Sequence, residues 1–199
     1  MRRFLRDLIE TVLMALVIYL ALQFSVQPYK VEGSSMHPTL QQGEYVLVNK
    51  LVYWHFSEDF LIRVAPFLSE DDDSNIWPAH PPRRGEIVIF KFPLDTSRNF
   101  VKRVIGVPGD VIEITNGVVF VNGVRLDEPY LMSHSEVCTG RYGCRGPYEV
   151  PADTYYVLGD NRGASDDSRN WGPVPVEDII GREWVSYWPL DNLRSTLGF

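Results

Sequence analysis

In the stretch "VEGSSMHPTL", residues Val31 to Leu40, the hydroxyls of Ser34 and Ser35 stand three and two residues ahead of an imidazole, His37. A serine works as a nucleophile only where a base takes its proton. His37 is the nearest candidate, since residues two apart on an extended segment share a face. Pro38 counts against it by interrupting a regular strand, and no third group is spaced to orient the imidazole. Ser34, in the same extended reading, faces away from Ser35.

A second candidate base lies in "NFVKRVIGVPGD", Asn99 to Asp110. If this is a strand, alternation puts Phe100, Lys102 and Val104 on one face. Burial among apolar neighbours disfavours an ammonium ion and lowers a lysine from its reference pKa of about 10.4, as a general base requires. Arg103 is unsuited to that role because a guanidinium stays protonated. In isolation, a lysine among valines usually extends its ammonium group to water. A third stretch, "LGDNRGASDDSRNWGPVP", Leu158 to Pro175, adds hydroxyls at Ser165 and Ser168. It also brings the carboxylates Asp160 and Asp167, able to pair with Arg103, Arg162 or Arg169 and to hold a polar site rigid.

These stretches must be positioned by something, and period-two patterning dominates the chain after its first 30 residues. "GEYVLVNK" from Gly43 and "GEIVIFKF" from Gly85 both read as strands. "VIEITNGVVFVNGVRL" sets Asn116-Gly117 and Asn122-Gly123 between β-rich segments, a strong hairpin signal. The expected fold is mostly antiparallel β-sheet. The acidic cluster Glu70 to Asp73 and the prolines after it read as a solvated loop. The aromatics Trp54, Phe56, Phe60 and Phe67 suit either a core or a membrane surface.

The N-terminus is of another kind. Arg2, Arg3 and Arg6 precede an apolar run from about Leu8 to Val26, long enough to cross a bilayer core of about 30 Å. The early arginines favour a cytoplasmic N-terminus. A cleavable signal peptide shares this pattern, but "LQFSVQPYKV" offers no clear small-x-small cleavage site. The expected division is residues 1–7 cytoplasmic, 8–27 a transmembrane anchor and 28–199 an extracytoplasmic domain.

A formal charge of −7, with scattered basic residues, gives nucleic-acid binding little support. Cys138 and Cys144, in "VCTGRYGCRG", can close a small disulfide loop in an oxidising compartment or remain as two thiols. With His134 alone nearby they do not complete a zinc site. The sequence leaves the oligomeric state open.

Taken in order, the apolar anchor, "SSMHPTL", "GEYVLVNK", "RRGEIVIFKFP", "FVKRVIGVPGD" and "GDNRGASDDSRNWG" resemble the type I signal peptidases, membrane-anchored proteases with a Ser/Lys dyad. The resemblance implies that Ser35 is the nucleophile and Lys102 the general base. It gives Ser165 as the hydroxyl that holds the lysine, Asp167 with Arg169 as a supporting ion pair, and Asp160 with Arg103 as a second. It implies secretory preproteins with small residues one and three places before the cut as substrates, a bacterial cytoplasmic membrane as the location, and no metal or organic cofactor. Where some members carry a hydroxyl two places before the nucleophile, this chain has Gly33, leaving the Ser35 backbone N–H as the surest oxyanion donor. A catalytically inactive, membrane-anchored module that binds exported chains is the alternative. A self-cleaving Ser/Lys regulator would need a DNA-binding domain where this chain has its anchor.

Overall fold

The computed structural model describes residues 2–53, 80–132, 138–189 and 194–195. The acidic loop, its four aromatics and His134 lie outside the described residues. Helix α1, Arg2–Ser25, opens the chain. Its stretch Arg6–Ser25 has a mean hydropathy of 1.9, and none of its apolar side chains is buried among the described residues. That is a helix made for a non-aqueous surrounding.

Strand β1, Val26–Lys30, follows without a linker, so the helix ends two residues before the expected limit at 27. Backbone pairing is the reason: β1 runs antiparallel to β2, Tyr45–Asn49, with Val26 opposite Asn49. Pro28 is tolerated because β1 is an edge strand.

The larger sheet adds β3, Ile87–Phe92, and β4, Asp95–Gly106. β5, Val111–Thr115, β6, Val118–Val121, and β7, Val124–Arg125, form two hairpins. Their turns, Asn116-Gly117 and Asn122-Gly123, have all four residues at positive φ, as the turn signal required. Then come β8, Tyr148–Glu149; β9, Thr154–Leu158; β10, Val174–Pro175; β11, Ile179–Trp188; and β12, Arg194–Ser195. The strand order is β1-β2-β11-β3-β4-β9-β10, with β12 also on β11; the smaller sheet runs β7-β6-β5-β8. Every pairing among the described strands is antiparallel.

Strand β3 shows how the core sits. Val88 and Phe90 pack with Val104, Tyr155 and Val157 in one cluster, while Ile87 and Ile89 pack with Met36, Leu40, Val46 and Val48 in another. The strand is therefore buried on both faces, which explains its unbroken apolar run. A third cluster, including Ile105, Ile112, Val121 and Tyr156, joins the smaller sheet to the larger. Cys138 and Cys144 are bonded to each other at the edge of that cluster, with Cα atoms 5.4 Å apart.

Candidate active site

Ser35 stands on a turn, not on an extended strand. The His37 N–H donates to the Ser34 carbonyl (3.1 Å) and the Leu40 N–H to the Met36 carbonyl (2.9 Å), so the backbone coils back on itself. This corrects the extended reading of the stretch, and with it the argument that placed His37 and Ser35 on one face. Apolar burial pins the turn: Met36 and Leu40 are almost wholly enclosed, each contributing roughly 1.5 to 3 kcal/mol, while Ser34 and His37 stay exposed. Ser35 is left half-buried at the rim. Gly33 enters the turn at φ +85°, a conformation that favours glycine over a side chain carrying a hydroxyl.

Lys102 arrives from the middle of β4, opposite Val88 of β3. Alternation along β4 holds: Phe100 and Val104 share one core cluster, and Val101 packs with the other. The Lys102 side chain is buried, and its Nζ lies 2.8 Å from Ser35 Oγ and 3.0 Å from the Val101 carbonyl oxygen. The Phe100 ring centroid is 5.4 Å from the same nitrogen. Burial pulls the lysine pKa down to about 8, against the opposing pull of Asp167, Asp166 and Asp160 and with help from Arg169. A lysine so depressed gives up its proton close to neutrality, and its lone pair then faces the Ser35 hydroxyl along the existing contact.

Residues 158–169 complete the site. The Asn161 N–H donates to the Ser35 carbonyl (2.9 Å), and its side-chain amide to the Ser34 carbonyl (3.1 Å). This approach needs Gly159: a Cβ there would sit 2.5 Å from the Ser35 carbonyl oxygen and 2.2 Å from Ser165 Oγ. Asp160 accepts from Arg103 at both oxygens (2.9 and 2.6 Å) and from the Thr39 hydroxyl, so it joins β4 to the turn that carries Ser35. Asp167 accepts from the Arg169 guanidinium (2.7 and 2.9 Å) and from the N–H groups of Gly159 and Arg169. In doing so it caps the short helix α2, Ser168–Trp171.

Both expected ion pairs thus form with the expected partners. Ser165 is brought beside Gly159 but does not bond to Lys102. Its buried hydroxyl is directed over the open side of Gly159 and has no hydrogen-bond partner among the described residues. Sequence reasoning missed Thr39, Asn161 and Glu128. Thr39 and Asn161 lie inside the quoted motifs, but a threonine after a proline and an asparagine in a polar loop carry no signal of their own. Glu128 turns out to be the partner of Arg162.

An antiparallel β-protein with a serine hydroxyl against a buried lysine whose pKa is lowered has the parts of a serine hydrolase. Comparison with known proteins narrows this. Residues 5–188 match the family described as signal peptidase, peptidase S26. Signal peptidase I P of Bacillus subtilis subsp. natto is 37% identical over 197 residues, covering 94% of this chain and 91% of its own. Signal peptidase I of Leptolyngbya laminosa is 34% identical over 194 residues, covering 93% of this chain and 80% of its own. The crystal structure of a signal peptidase I from Enterococcus faecalis V583 is 34% identical and aligns with a TM-score of 0.45, covering 52% of this chain and 97% of that one. The chain belongs to the signal peptidase family and is a serine peptidase of the class that removes signal peptides. With a long apolar helix near its N-terminus, it is a membrane-anchored member of that class.

Proposed function

We propose that the protein cuts exported preproteins by a Ser35/Lys102 dyad. The contact of 2.8 Å between the Nζ of buried Lys102 and Ser35 Oγ carries this reading. Ser35 Oγ attacks the carbonyl carbon of the scissile peptide, and neutral Lys102 takes the hydroxyl proton. The tetrahedral intermediate collapses with cleavage of the C–N bond, and Lys102 passes the proton to the departing amine. Water, deprotonated by the same lysine, then releases the acyl group as a carboxylate.

The Ser35 N–H, which has no partner among the described residues, is the oxyanion donor. Arg103 with Asp160 and Arg169 with Asp167 support the dyad by fixing the backbone around it. Ser165 lacks the hydrogen bond that a lysine-holding role would need in this structure. The chemistry uses no metal or organic cofactor. The catalytically inactive binding module has no observation in its favour.

The substrates are secretory preproteins with small residues one and three places before the cut. The groove beside Ser35 supports this: Val31, Val46, Ile89, Phe100 and Ala164 line it, and an extended chain lying there turns alternate side chains toward the same wall. The anchor spans a bacterial cytoplasmic membrane once, with Arg3 and Arg6 on the cytoplasmic side and residues from β1 onward outside it. Because β1 starts at the residue after α1, the peptidase domain begins at the membrane surface. Membrane-held substrates therefore meet it at high effective concentration.

The test is the rate of preprotein cleavage in detergent or vesicles as a function of pH. Activity is expected to rise as Lys102 loses its proton, with a midpoint near 8. His37→Ala is expected to keep the wild-type rate within about threefold and the same midpoint. A midpoint near 6.5 that disappears in His37→Ala would return the base to the histidine.

A further inference from the structure

Past β7 the chain leaves the smaller sheet and runs through Glu128 and Tyr130 toward the loop at 159–165. Glu128 and Arg162 form a pair whose side chains are 1% and 4% exposed. Arg162 Nη1 donates to Glu128 Oε2 (3.2 Å) and Nη2 to Oε1, the two-point grip of a guanidinium on a carboxylate. Glu128 Oε1 also accepts from the Tyr130 hydroxyl (2.8 Å). The Tyr130 ring in turn lies 3.9 Å from the Arg103 guanidinium.

What Arg162 does with its remaining bonds gives the pair its direction. Its Nε donates to the Gly159 carbonyl (3.1 Å), and its own carbonyl accepts from Arg169 Nη2 (2.8 Å). Between those anchor points lies Asn161, whose N–H holds the Ser35 carbonyl. A buried ion pair has no stability advantage over apolar side chains of the same size, because desolvation offsets the attraction. It does fix orientation, since a planar fork meets a carboxylate in few geometries.

We propose that Glu128 is a positioning residue for the peptidase reaction, acting through Arg162 to fix the Gly159–Arg162 backbone that holds the Ser35 nucleophile. The inference rests on the Ser35/Lys102 reading. The charged groups acting on Lys102 are Asp160, Asp166, Asp167 and Arg169, with neither Glu128 nor Arg162 prominent among them. Loss of Glu128 is expected to reach Lys102 through slack in the loop that anchors Ser35, with water entering and raising the lysine pKa.

Glu128→Gln and Glu128→Asp, purified as the full membrane-anchored chain and checked by thermal melting, test this in the preprotein assay. Each is expected to lower kcat by roughly 10- to 100-fold, as small misplacements of reacting groups do, with KM within about threefold. The pH midpoint should also move upward from about 8. Glu128→Asp keeps the buried cation neutralised and decides the matter if Glu128→Gln fails to fold. A folded variant with wild-type kcat and an unmoved midpoint overturns the proposal, even if it melts at a lower temperature. Ser35→Ala in the same assay separates the two failures. If it retains activity, the dyad reading falls. If it is inactive while both Glu128 variants match the wild type, only the positioning role falls.

Discussion

Ser35→Ala and Lys102→Met are each expected to reduce preprotein cleavage by roughly four to six orders of magnitude, with the double variant no slower than either single one. In the proposed dyad the two groups act as a unit: a serine without its base is a weak nucleophile, and a base without its serine has nothing to deprotonate. Lys102→Arg is expected to be as inactive, since a guanidinium keeps its proton at any pH the enzyme survives. Initial rates on a purified preprotein measure all four. A double variant much slower than both singles would show two independent contributions and undo the dyad.

The same lysine makes an opposite prediction for stability. Its pKa is lowered from 10.5 to about 8 because the folded protein disfavours its charged form. Below about 8 the group is charged in both folded and unfolded chains, and the folded state bears the full cost of roughly 3 kcal/mol. Between about 8 and 10.5 the folded chain releases its proton first, so this contribution to stability rises with pH. Above 10.5 both states are neutral and the cost is gone. Lys102→Met should therefore melt above the wild type at pH 7, with the gap closing as the pH is raised. A lower melting point for Lys102→Met at pH 7 would mean that the lysine is not held against its charge.

How far the sequence carried these conclusions depended on the range of each interaction. Strands with regular alternation and turns with Asn-Gly were legible because both signals are local: β2, β3 and the two hairpins lie where the patterns put them. The burial of Lys102 was legible for the same reason, since its apolar neighbours on β4 are also its neighbours in sequence. The conformation around Ser35 was not. Period-two reasoning treats "VEGSSMHPTL" as extended, whereas burial of Met36 and Leu40 four residues apart favours a coiled turn. Glu128 was out of reach because an acidic residue after a hairpin has no local mark. Only the docking of the smaller sheet on the larger brings it to Arg162, 34 residues away.

Asp167 marks where that long-range network should be least forgiving. Its side chain is fully buried and receives hydrogen bonds from the Arg169 guanidinium and from two backbone N–H groups, one of them on Gly159. Asp167→Ala leaves a buried guanidinium without its carboxylate, a change that typically costs about 3 to 5 kcal/mol. It also orphans the Gly159 N–H and removes the cap of α2. Denaturant unfolding is expected to show a loss of that size, with cleavage falling alongside it because Gly159 packs against the Ser35 carbonyl. Asp167→Asn keeps the shape and some of the bonds, so a folded fraction should survive for kinetics. In that fraction the carboxylate that most opposes the depression of Lys102 is gone, while the Arg169 charge remains and disfavours the ammonium. The lysine pKa should therefore fall further, and the rising limb of the pH profile should move below 8. A limb that stays put or moves upward in Asp167→Asn would show that Lys102 does not sense this charge. An Asp167→Ala protein as stable as the wild type would show that the Arg169 pair is dispensable to the fold.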